Sequence, residues 1–133
     1  MTAAESQTVL LDTSVLINFL HGKRETAALL RDITMRGFNL AVSCITVAEL
    51  FAGMRPNEEA ATEALLSTLD CLPVTQEIAR RAGNIRATQR RLGRTFAPDD
   101  MMIAATSIQH GCPLITDNQK DFDVPDLELF PLS

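Results

Sequence analysis

The stretch TVLLDTSVLINFLHG, from Thr8 to Gly22, decides the fold class. Its first five residues are a short β-rich apolar run that ends in an acid, the pattern of a parallel strand buried on both faces. The period then changes. Val15, Leu16, Phe19 and Leu20 fall at helical spacing, and Gly22 supplies a stop. A buried strand that feeds straight into a helix is the opening of an alternating α/β chain.

The same alternation continues outward from this unit. Residues 25–36 predict a helix closed by Gly37, and NLAVS (39–43) a second strand. TVAELFAG (46–53) predicts a helix with Thr46 as N-cap and Gly53 as its end. Pro56 breaks the chain, and NEEAATEALLSTLD (57–70) predicts a helix capped by Asn57. CLPV (71–74) is a short strand weakened by its proline. TQEIARRAGNIRATQRRLG (75–93) is a long helix with Ile78, Ala82, Ile85 and Leu92 on one face and Gly93 at its end. Asp99 to His110 predicts another helix, ended by Gly111, and PLIT (113–116) and LELF (127–130) two more strands. With no repeat, linker or low-complexity tract, the expectation is one domain over residues 1–133, built on a parallel sheet covered on both faces.

Composition narrows the function classes. The chain has 133 residues, of which 46% are hydrophobic, enough for a real core and too many for disorder. No charged-then-apolar leader opens it and no apolar run reaches the length of a membrane span, so a soluble, cytoplasmic protein is expected. Cys44, Cys71 and Cys112 are odd in number and well separated, as reduced core thiols would be. His21 and His110 each precede a glycine, where a helix C-terminus favours them, and with no Cys/His cluster a structural zinc site is not expected. The net charge of −5 argues against nucleic acid as a partner, but its distribution does not. Arg80, Arg81, Arg86, Arg90, Arg91 and Arg94 lie in fifteen residues that contain no acid.

The acids have a pattern of their own. In open parallel sheets, ligands bind beyond the carboxyl ends of the strands. Asp12 ends the first strand, Asp117 follows PLIT, and Asp100 opens the helix leading into that strand. Glu49 stands among Val47, Ala48, Leu50 and Phe51, where an unpaired carboxylate is costly. Each acid also has a plain structural explanation. Asp12 caps a helix starting at Thr13 or Ser14, Asp99 is the N-cap of its helix with Asp100 pointing inward, Asp117 and Asn118 make a turn, and Glu49 is half exposed. Taken together, acids gathered at one edge point instead to a divalent cation, and oxygen-only ligands favour Mg2+ or Mn2+ over zinc.

Four segments in order resemble the PIN-domain ribonucleases, and within them the VapC toxins of bacterial toxin–antitoxin pairs. LLDTSVLINFL resembles the family's opening strand, acid and helix, and TVAELFAG its second motif. DDMMIAATSIQHG resembles its D-x-x-I-A-A-T-A helix, and PLITDNQKDF its closing strand and acid motif. The resemblance spans nearly the whole chain. It implies a three-layer α/β/α sandwich and Mg2+- or Mn2+-dependent endonucleolytic cleavage of RNA, together with a homodimer and a cognate antitoxin that blocks the site. It carries over Asp12, with Thr13 or Ser14 beside it, Glu49, and Asp100 rather than Asp99. The fourth acidic position stays open between Asp117, Asn118 and Asp121.

On this basis Asp12, Glu49 and Asp100 are expected to hold the metal, with Asp117 or Asn118 orienting water or a second ion. Arg86, Arg90 and Arg94, spaced four apart, are expected to serve the flanking RNA phosphates if the helix persists past Gly93. Two rival functions remain. One is a phosphohydrolase or phosphoacceptor domain, weakened because LDTS has serine, not a second acid, at position 14. The other is a non-enzymatic dimeric interaction module whose acids only cap helices.

Overall fold

The computed structural model describes residues 7–131. Four parallel strands form its sheet: β1 (Thr8–Leu11), β2 (Asn39–Ser43), β3 (Asp70–Leu72) and β4 (Leu114–Ile115), in the order β3-β2-β1-β4. Six helices accompany them: α1 (Thr13–Leu20), α2 (Arg24–Met35), α3 (Cys44–Gly53), α4 (Glu59–Leu66), α5 (Gln76–Arg91) and α6 (Pro98–His110). Short 3-10 turns occupy Pro56–Glu58 and Gln119–Phe122.

Alternation along the strands builds two cores. Leu10, Ala41 and Leu114 turn to one face and pack with Ile78 and Ala82 of α5 and Met101, Ile103 and Ala104 of α6. Val9, Leu11, Val42 and Ile115 turn to the other face and pack with Val15 and Leu16 of α1, Leu30 and Ile33 of α2, and Leu50 of α3. The sheet is therefore the middle of three layers, as expected. Because β1 is covered on both faces, Val9, Leu10 and Leu11 are all buried and show no polar side, which is why they read as an unbroken apolar run. Among the described residues no helix is long and apolar enough to cross a membrane.

Strand order places the site. From β1 the chain passes to β2 on one side, while β4 pairs with β1 on the other, with Leu11 opposite Ile115. A parallel sheet opens a crevice at such a reversal, outside the carboxyl ends of the strands. Asp12 and Thr116 are the residues that follow β1 and β4 there.

Several local expectations are corrected. The third helix starts earlier than predicted, at Cys44, with Ser43 as N-cap accepting from the Ile45 amide at 3.1 Å. Thr46 is instead wholly buried inside it. Asn57 does not cap α4; it lies in the 3-10 turn, and the Glu58 carboxylate accepts from the Arg55 amide at 2.6 Å. Asp99 is not an N-cap: Ala97 holds that position without a side-chain bond, because Pro98 starts the helix one residue earlier. LELF forms a single bridge, Leu129 beside Leu114, in place of a strand. At the other end of α6, Gly111 takes the left-handed conformation, φ 65°, that closes the helix before β4.

Candidate active site

Asp12 is both cap and crosslink. It is 4% exposed and is the N-cap of α1. Oδ1 accepts from the Thr13 amide at 2.8 Å. Oδ2 accepts from Ser14 Oγ at 2.8 Å and from Thr116 Oγ1 at 2.7 Å. The capping explanation and the site explanation thus describe one carboxylate, held by three donors from two ends of the chain.

Glu49, on α3, is half-buried rather than sealed among its apolar neighbours. Thr13 Oγ1 donates to its Oε1 at 2.5 Å and lies 2.9 Å from Thr46 Oγ1. Burial pushes the Glu49 carboxyl up; the Thr13 hydrogen bond opposes this, and the nearby Asp99 and Asp12 add to it. Asp100, in the first turn of α6, is pushed up to about 6, chiefly by burial and then by the negative charges of Asp12, Asp121, Glu49 and Asp99. These causes carry a geometric message: Asp12, Glu49, Asp99, Asp100 and Asp121 stand close enough to feel one another. Asp99, displaced from its expected cap, joins the group from the exposed side of the helix start.

The open fourth position resolves into two places. Asp121, exposed in the turn Gln119–Phe122, acts on Asp100. Asp117 is absent from the groups that shift Asp100 or Glu49, and its carboxylate instead accepts from Asn18 Nδ2 of α1 at 2.5 Å. The Asn118 amide donates to Thr116 Oγ1 at 3.0 Å, which helps fix the hydroxyl that holds Asp12.

Among the described residues no ion pair relieves this crowding. The ion pairs among the described residues, Arg36 with Asp32 and Arg94 with Asp123, lie outside it. Among those residues, too, no three His, Cys, Asp or Glu groups stand at ion-holding separation, so the carboxylates gather without closing into a cage. Their chemistry still fits a hard divalent ion: every donor is an oxygen, and charge-neutralising partners are missing.

The arginine expectation is corrected. Helix α5 ends at Arg91, and Gly93 follows with φ 83°, so Arg94 leaves the helix and the three arginines share no face. Arg86 Nε donates to the Phe96 carbonyl at 2.9 Å. Arg94 donates to the Asp123 carbonyl at 2.7 Å and carboxylate at 3.0 Å and stacks over Phe96 at 5.1 Å. Both brace the approach to α6. Arg90 is exposed, as are Arg80 and Arg81, which line a cleft of about 720 Å³ along α5 with Asn84 and Thr88.

Sequence reasoning did not assign Thr116, Thr46 or Asn18 to the site. Thr116 carried a signal, since it ends the PLIT strand beside the acids. Thr46, three residues before Glu49, has the pattern of a cap, and half-buried Asn18 carried no signal.

A PIN domain family model matches residues 9–126. Ribonuclease VapC19 of Mycobacterium tuberculosis H37Rv is 36% identical over 120 residues, covering 90% of this chain and 96% of that protein. The structure of DNA-bound VapBC from Salmonella typhimurium aligns with a TM-score of 0.82 at 26% identity, over 94% of this chain and 97% of the other. VapBC2 from Rickettsia felis, bound to a promoter DNA fragment, aligns with a TM-score of 0.84 at 20% identity, over 96% and 100%, a likeness of fold alone.

Proposed function

This chain belongs to the PIN-domain family, and from that premise we propose that it is a metal-dependent endoribonuclease. It cleaves RNA phosphodiester bonds as the toxin of a VapBC-type pair and is held in check by a cognate antitoxin. The observation that carries this reading is the gathering of unpaired carboxylates in the crevice between β1 and β4. Capping would account for Asp12 alone. Nothing in capping accounts for Glu49, Asp99, Asp100 and Asp121 crowded near it without an ion-pair partner among the described residues.

Asp12, Glu49 and Asp100 are the ligands in this reading, with Asp99 and Asp121 as auxiliary acids on the exposed side. A Mg2+ or Mn2+ ion bound there would supply positive charge to the phosphate and to the attacking water as negative charge develops. The chain's own part is orientation. Thr13, Ser14 and Thr116 hold Asp12 in one pose before any ligand arrives. Thr13 also holds Glu49, so one residue sets the spacing of two ligands. Asp117, steadied by Asn18, stands at the rim with Asn118, where it can orient the attacking water or a second ion.

RNA contact passes from the expected arginines to others. Arg86 and Arg94 are occupied by the chain itself, whereas Arg80, Arg81 and Arg90 are exposed. These three take the flanking phosphates, which reconciles an acidic protein with a polyanionic substrate. A toxin–antitoxin complex from Klebsiella pneumoniae that is 30% identical to this chain supports an antitoxin partner here, and a homodimer acting in the cytoplasm completes the reading. Against a phosphoaspartyl mechanism stands the engagement of both Asp12 oxygens by donors.

The test is cleavage of a mixed RNA substrate by purified protein with Mg2+, with Mn2+, and after chelation. Cleavage is expected only with the ions, and Asp12→Asn and Asp100→Asn are expected to lose it while still folding, read as a cooperative melting transition. Full activity in either variant defeats the assignment. A covalent phosphoaspartate trapped at Asp12 would replace it with the phosphoacceptor mechanism.

A further inference from the structure

We propose that Thr46 is a positioning residue: its buried hydroxyl donates to the Thr13 hydroxyl, and so holds that oxygen in place to donate to Glu49. The distances alone leave one donor undefined, because either hydroxyl of the 2.9 Å Thr13–Thr46 pair could donate. Chemistry removes the choice. In the 2.5 Å contact the Thr13 hydroxyl donates and Glu49 Oε1 accepts. A hydroxyl has one proton. Thr13 has none left for Thr46, so Thr46 donates to Thr13, and the relay runs Thr46 to Thr13 to Glu49.

The place of Thr46 in the fold supports this. It lies in the first turn of α3, where the residue four earlier, Val42, belongs to β2, and its hydroxyl bond among the described residues is to Thr13. It is 0% exposed, so water cannot take its place. If this donor is lost, Thr13 Oγ1 becomes a buried oxygen short of a partner, and its bond to Glu49 loses the polarising support of the Thr46 proton. The Glu49 carboxylate, repelled by Asp99 and Asp12, is then held less firmly in the cluster.

The consequence for ion binding rests on the proposed nuclease reading; the relay itself does not. Partners that orient a ligand from behind typically change metal affinity by about 10- to 100-fold. Thr46→Val, which keeps the shape and removes the hydroxyl, is expected to weaken Mn2+ binding about tenfold, read by electron paramagnetic resonance. Thr46→Ser, which restores the hydroxyl, is expected to return it close to wild type. A purely structural role would move the two variants together with their melting temperatures.

The relay is read directly by proton NMR without added metal. A slowly exchanging Thr13 hydroxyl proton bonded to Glu49 is expected in the wild type and in Thr46→Ser, with faster exchange and an upfield shift in Thr46→Val. A Thr13 proton unchanged in shift and exchange in Thr46→Val overturns the relay. So does a wild-type spectrum in which Thr13 donates to Thr46, a result that stands even if Thr46→Val does not fold. The shift in a protein whose wild type binds no Mn2+ upholds the relay and defeats the cation reading instead.

Discussion

The acidic crevice and the arginine-rich α5 treat charge in opposite ways. At the crevice, like charges are brought together and left without basic partners, with Asp100 pushed up to about 6. Along α5 and its exit, two of the charges are consumed by the fold: Arg86 ties down the Phe96 carbonyl and Arg94 ties down Asp123. The contrast is instructive. A charge satisfied inside the molecule supports stability, whereas a charge kept unsatisfied at some cost to stability marks a candidate functional site.

The largest effect that would break this comparison is on catalysis. Asp12→Asn and Asp100→Asn are each expected to lower RNA cleavage by about 100-fold or more, measured as initial rates with saturating Mn2+. Near-wild-type rates would make the acids structural and erase the distinction. Next is RNA affinity. An Arg80→Ala/Arg81→Ala variant is expected to weaken binding and to reduce the slope of log K against log salt by about 2, with melting unchanged. An unchanged slope would leave the cleft outside the RNA path.

Arg86→Ala should show the reverse profile. Removing a charged donor from a half-buried carbonyl costs about 1–3 kcal/mol in denaturant unfolding, with little change in the salt slope. The smallest effect concerns the apo protein and has an unusual sign. The carboxyl of Asp100 is raised on folding, so the folded state holds its proton more tightly than the unfolded chain does. That contribution is intact below the unfolded value near 4 and is lost as pH rises through about 6. Asp100→Asn is therefore expected to stabilise the metal-free protein at pH 7.5, by about 1 kcal/mol after discounting for solvent screening, and to give no gain at pH 4. Divalent ion affinity should fall in the wild type as pH drops through about 6, because the ligand must be ionised. A destabilised Asp100→Asn at pH 7.5 would mean the charge is already satisfied within the protein.

Local signals carried the framework. Periodicity located most elements, since a run such as Val9-Leu10-Leu11 has no polar face to show water and Val15 and Leu16 keep helical spacing just after it. The acids at strand ends could be found for the same reason: the switch from apolar to acidic marks where the strand leaves the sheet. Three parts of the site were harder to read. The role of Asp99 depended on a one-residue shift of the helix start to Pro98. Choosing between Asp117 and Asp121 depended on Asn18, distant in sequence, and on the turn at Gln119–Phe122. Reading Arg94 as part of a helical face overlooked how sharply a glycine at φ 83° ends that helix.

By itself, then, the sequence determined the order of strands and helices, the two-sided burial of the sheet and the acids that end its strands. These follow from period and hydrophobicity, which act between near neighbours. Only the tertiary structure decided which hydroxyls hold the acids, which arginines stay free and which way the Thr13 proton points. Those depend on pairs such as Asp12 with Thr116 and Thr13 with Thr46, which packing brings within hydrogen-bonding distance and which no local pattern encodes.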